Sequence, residues 1–145
     1  MRKPSVRQLS LFDDEEEADS TPAPIYDHTA LFERLAQSAF RSRFHLSAAD
    51  RAYIQSRGLT IIRQHAATFV AQRLAPAIIA NDGRQTPMRG HPVFVAQHAT
   101  GCCCRGCLYR WHHIAPGHTL TQAEQQYAVS VLMAWIERQL QRNPQ

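Results

Sequence analysis

HPVFVAQHATGCCCRGCLYRWHH, residues 91–113, holds all four cysteines and four of the eight histidines of this 145-residue chain. How it is read decides the rest. Pro92 suits the first turn of a short helix running to about His98, and Gly101 suits its stop. Beyond Gly101 the chain has two courses. If residues 103–114 form one unbroken helix, Cys103, Cys107, Trp111 and Ile114 share a face and His112 points away, about 140° from Cys107. The cysteines then pack as small buried hydrophobes. If the chain is non-helical around Cys104–Cys107, or the helix breaks before His112, the C-x-x-C of Cys104 and Cys107 can act with the spacing of a zinc knuckle, Gly106 allowing the tight turn. His98 and His112 complete a Cys2His2 set in that reading, with Cys103, His91 and His113 as substitutes. A reactive thiol is the third possibility, since Arg105 and the nearby histidines favour a thiolate. No strand precedes the C-x-x-C, which argues against a thioredoxin-like site.

Outward from this stretch the pattern is helical. Thr121-x-x-Glu124 is a capping box, and Ala128, Val131, Leu132, Trp135, Ile136 and Gln139 form a wide apolar stripe over residues 121–142. At this spacing Tyr127 and Trp135 read as core. Toward the N-terminus, residues 29–43 carry an i, i+4 stripe from Leu31 to Phe40 and are predicted to form one helix. Ser47 and Asp50 cap a second helix that Gly58 ends, and Thr60 is placed to cap a third that Pro76 closes. His65 lies on the apolar side of that third helix and is read as a core residue. Asn81-Asp82-Gly83 is a turn, and the loop after it carries Arg84, Thr86 and Arg89. The predicted fold class is mostly α: a compact single-domain bundle of five or six helices over residues 25–145.

Residues 86–114, TPMRGHPVFVAQHATGCCCRGCLYRWHHI, followed by LTQAEQQYAVSVLMAWIERQ at 120–139, resemble the uncharacterised bacterial family DUF4186. The similarity takes in FRSRFHL at 40–46 and the third helix, and so covers about residues 29–140. The resemblance implies a domain boundary and no activity.

Charge is unevenly spread. Residues 1–24 carry three basic and six acidic side chains, a net −3, while the remainder carries thirteen arginines, no lysine and six acids, a net +7. Arginine suits phosphate because its planar fork donates two parallel hydrogen bonds. A basic body therefore points to nucleic acid, with Arg84, Arg89, Arg105 and Arg110 as the expected contacts. The acidic, proline-containing tail is expected to be disordered. Within it, Gln8-Leu9-Ser10-Leu11-Phe12 resembles the peptide by which bacterial replication and repair proteins dock on the DNA sliding clamp. Gln8 can hydrogen-bond at a pocket rim while Leu9, Leu11 and Phe12 bury apolar surface.

No apolar run reaches the length of a membrane span, and the N-terminus lacks an apolar signal core. A cytoplasmic protein with reduced thiols is expected, so four clustered cysteines read as a metal or thiol site rather than a disulfide framework. Together these features predict a nucleic-acid-associated accessory protein with a structural zinc, tethered to the sliding clamp. A small metalloenzyme and an interaction module with buried thiols are the alternatives. His112 and His113 with Ile114-Ala115-Pro116 faintly resemble the histidine element of HNH nucleases, but the partner asparagine and ββα context are missing.

Overall fold

A computed structural model describes residues 26–142. They form six α-helices and no strand: α1 (Thr29–Ala36), α2 (Ala48–Arg57), α3 (Leu59–Phe69), α4 (Pro92–Thr100), α5 (Arg105–His112) and α6 (Gln122–Leu140). None of these helices is long and apolar enough to cross a membrane. The tail motif at residues 8–12 lies outside the described residues.

The centre of the bundle is α4. It is apolar nearly all round, as a helix enclosed on every side must be, and every residue from Val95 to Thr100 is buried. It packs chiefly on α6, with α1, α2 and α3 around it. Val93, Ala96, Ile62, Ala66, Leu132 and Ile136 meet there in one core. His91 caps α4 by accepting the Val93 N–H on Nδ1 at 3.0 Å. Gly101 ends it with φ at 76°, a conformation glycine adopts without strain. A Cβ there would sit 2.6 Å from the Trp111 ring, so Gly101 also permits the close approach of Trp111 to the end of α4.

Both capping boxes form as predicted, Ser47 with Asp50 and Thr121 with Glu124. The stripe on α6 is buried throughout, and Trp135 is core. Two expectations fail locally. The third helix starts at Leu59 directly from Gly58, with no cap from Thr60. Beyond Phe69 it widens into a π-helical turn, Val70–Leu74, whose Ala75 N–H reaches back to the Val70 carbonyl at 2.8 Å before Pro76. The first helix stops at Ala36 rather than running to residue 43. Ser38 Oγ accepts the Arg41 N–H at 3.1 Å, and a 3₁₀ turn, Arg41–Arg43, replaces the last helical turns. Phe40 therefore leaves the apolar stripe, 40% exposed, while Arg41 turns inward, 7% exposed.

Candidate metal–thiolate site

After Gly101 the chain is not helical over Cys102, Cys103 and Cys104, the last of them extended, and α5 begins at Arg105 and carries Cys107 in its first turn. The course lies between the two expected: the helix excludes Cys103 and Cys104 but runs unbroken through Cys107 to His112, so those two residues point apart. Cys104 caps α5: its Sγ accepts the Cys107 N–H at 3.4 Å. The sulfurs of Cys103, Cys104 and Cys107 lie within 4.8 Å of one another, close enough to hold a metal ion. Cys102 is directed elsewhere. It is fully buried, with its sulfur 3.5 Å from His112 Nε2, and burial pushes its thiol up to about 12. That cysteine is packing, as a small hydrophobe.

One cation serves the three-sulfur cluster. Arg41 Nη2 donates to Cys107 Sγ at 3.1 Å, and Nη1 donates to Cys103 Sγ at 3.6 Å and to the His98 carbonyl at 2.7 Å. Hydrogen bonds from Cys103 and Cys104, then from Arg41, push the Cys107 thiol well down against the cost of its burial. Cys103 is pushed up, first by its hydrogen bonds to Cys104 and Cys107. Burial works against the charge on Arg41, but its bonds to Cys103 and Cys107 raise its pKa. The guanidinium and the neighbouring thiols thus favour a thiolate in this cluster, at Cys107. The N-terminus of α5 adds to this, since its unpaired N–H groups favour a thiolate.

The histidines expected to complete the ligand set are placed elsewhere. His98 Nε2 donates to the Thr86 carbonyl at 3.0 Å, because a carbonyl only accepts, and its ring stacks on Phe44. His112 Nε2 donates to the Thr100 carbonyl at 2.8 Å, leaving Nδ1 to accept from the Tyr127 hydroxyl at 2.8 Å. Both nitrogens of His112 are engaged, and burial holds its pKa at about 4. His91 Nε2 donates to His65 Nδ1 at 3.0 Å, since its Nδ1 already accepts from Val93. His65 is half-buried and partnered rather than core. The structure brings Cys104 and Cys107 together, adds Cys103, and among the described residues supplies no histidine or carboxylate to the cluster.

The expected phosphate contacts divide in the same way. Arg84, Arg89 and Arg110 are exposed, as such contacts require. Arg105 is not available. It is 2% exposed, and its Nη1 and Nη2 donate to five carbonyls, those of Leu74, Ala75, Pro76, Ala115 and His118. A guanidinium whose donors are consumed inside the fold cannot clasp a phosphate, so Arg105 is a brace between α5 and the two loops it faces. Thr86 is likewise internal, its hydroxyl donating to the Cys103 carbonyl at 2.7 Å. Arg41, which organises the site, was not among the predicted residues. The local signal for it lies just before FRSRFHL: Ser38, three residues before Arg41, can accept its backbone N–H and break a helix.

A family model described as a domain of unknown function, DUF4186, matches residues 29–137. No solved structure matches the chain.

Proposed function

The chain belongs to the DUF4186 family, which carries no activity with it, and from its charge and its cysteine cluster we propose that it is a nucleic-acid-associated accessory protein. In this reading Cys103, Cys104 and Cys107 hold a structural zinc that fixes the turn between α4 and α5. The tail docks on the bacterial DNA sliding clamp through Gln8, Leu9, Leu11 and Phe12.

The observation that carries the metal is the gathering of three sulfurs within 4.8 Å beside one guanidinium. Thiolates are soft donors and suit zinc. Zn–S bonds of about 2.3 Å in a tetrahedron put sulfurs about 3.8 Å apart, so this cluster has to close by about an ångström at most. Charge fits as well. Zn²⁺ on three thiolates carries a net −1, which Arg41 cancels in a buried setting where an uncompensated charge is costly.

Metal analysis of the reduced full-length protein tests this directly, with about one zinc per chain expected and loss in Cys107→Ser. Metal-free protein with wild-type stability overturns it. Three protein ligands rather than four also favour the metalloenzyme alternative, because an open fourth position admits water. X-ray absorption separates the two: a fourth nitrogen or sulfur means a structural centre, and a fourth oxygen means an open one.

The nucleic-acid association is supported by charge that the fold does not consume. Among the described residues the side-chain ion pair is His118 with Glu124 at 2.8 Å, and no arginine pairs with a carboxylate. Docking on the clamp is tested by full-length protein carrying Leu11→Ala and Phe12→Ala, which should lose clamp binding while keeping its metal. Such interfaces rest on a few anchors, and a tether raises the local concentration of the attached domain.

A further inference from the structure

Away from the cysteines, a groove of about 650 Å³ opens between the turn before α2, the start of α2 and the loop before α4, with Arg43, Phe44, Tyr53, Met88, Arg89 and His91 among its walls. His91 joins this groove to an aromatic cluster. Its ring lies 5.3 Å from Tyr53 and 5.1 Å from Phe69, and Phe69 lies 4.7 Å from Phe94. Phe44, Tyr53, Phe69 and Phe94 are each partly exposed, and Phe40 is exposed.

Arginines lie on these rings. Arg43 is 4.8 Å from the centre of Phe40, Arg57 is 5.1 Å from Tyr53, and Arg73 is 5.1 Å from both Phe69 and Phe94. Among the described residues, none of the guanidinium groups of Arg43, Arg57, Arg73 and Arg89 donates a hydrogen bond to a protein acceptor, in contrast to those of Arg41 and Arg105. The one acid in the groove is Asp50, and its Oδ2 already accepts the Ser47 N–H at 3.1 Å.

We infer that this face binds single-stranded DNA, its arginines taking phosphates and its half-exposed rings stacking on bases. The inference rests on the nucleic-acid reading above and says which surface and which form of the polymer. Unspent guanidinium groups in the groove, Arg43 and Arg89, and on the rings packed about His91, Arg57 and Arg73, match a repeating phosphate chain better than a single anion. Exposed rings beside cations are the platform that single strands use, because every unpaired base offers a π-face. A duplex hides those faces inside its stack. The groove does not include Arg84 or Arg110, which provide an internal control.

The test is fluorescence anisotropy of a labelled oligothymidylate of about 20 nucleotides, enough to fill one site, with full-length protein. Arg43→Gln combined with Arg89→Gln should weaken binding about tenfold or more. The slope of log K against log salt should become shallower by about 0.7 for each arginine removed, which a merely structural role would not produce. Phe40→Ala, at an exposed ring, should weaken binding at least about fivefold with no change in that slope. Tighter binding to duplex DNA or to oligouridylate overturns the assignment. So does wild-type affinity in the groove variants with loss in Arg84→Gln combined with Arg110→Gln, an outcome that leaves the broader nucleic-acid reading standing. Absence of binding to any of these polymers overturns both, and the zinc count then judges the thiolate centre by itself.

Discussion

Arg41 and Arg43 stand two residues apart in one turn and have opposite surroundings. Arg41 is buried against the cysteines, its Nη1 and Nη2 taken by two sulfurs and a carbonyl. Arg43 lies over Phe40 at the surface, its donors unspent. The same contrast separates the two regions they belong to. Around the cysteines, polar side chains point inward and nearly all are satisfied; among the described residues, Gln97 Oε1 and Arg105 Nε are the buried side-chain atoms left without a partner. Along the groove, rings and cations face outward with partners still to find. The lesson is that a basic composition is not one property. Arg41 and Arg43 both lie over the Phe40 ring, at 5.0 and 4.8 Å, so the difference is in their donors: a guanidinium whose N–H groups are taken by internal acceptors holds the fold together, while one whose N–H groups are unspent is free to recognise something else.

That division can be broken by experiment. The largest effect is expected at Arg105→Ala, which takes a donor from five carbonyls, that of Ala75 keeping the Leu120 N–H. It should cost about 3–5 kcal/mol, the range for removing one partner of a buried charged network, read as a lower urea midpoint at unchanged slope. A loss under about 1 kcal/mol would mean that the enclosed arginines are not what holds the cysteine region shut.

Acidification comes next. His91 and His112 are both held at about 4, chiefly by burial, against an ordinary histidine value of 6.5. The unfolded chain therefore takes up two protons before the folded one does. The contribution of these two rings to stability is constant above about 6.5 and is lost as pH drops from there toward about 4. For His112, the more enclosed ring, the full loss is of order 3 kcal/mol. His112→Gln should flatten the dependence of melting temperature on pH more than His91→Gln does, and equal slopes would erase the distinction between the enclosed and open regions.

Arg41→Gln should destabilise by about 2 kcal/mol and, more tellingly, raise the pH at which Cys107 ionises, followed by ultraviolet thiolate absorbance. The thiolate is held down partly by this guanidinium; an unmoved titration would remove Arg41 from the site. The smallest effect on stability is expected for Arg43→Gln with Arg89→Gln, within about 0.5 kcal/mol of the parent, because neither side chain is enclosed. A large destabilisation there would show that the groove is part of the scaffold.

Much of the scaffold was legible because it is local. Gly58 and Gly101 stop helices, Ser47 and Thr121 start them, and the stripe on α6 is buried as its spacing predicts; each depends on neighbours within a turn or two. The extent of the first helix was not legible. Its stripe continues to Phe40, but the inward pull on Arg41 comes from cysteines some sixty residues away. The site was legible in part. The C-x-x-C spacing put Cys104 and Cys107 together, since the first cysteine caps a helix whose first turn carries the second. His98 and His112 were grouped with them by proximity in sequence, and hydrogen bonds to the carbonyls of Thr86 and Thr100 draw both rings away.

By itself, then, the sequence determined which segments coil, where they stop, and that sulfur and imidazole are concentrated between α4 and α5, because periodicity, caps and composition act over a few residues. Tertiary structure alone decided which sulfurs share a cation, which arginines are spent inside the fold, and which rings stay open. Those outcomes turn on the competition of buried donors for distant acceptors, and a buried group takes whatever partner the packed helices bring within about 3 Å.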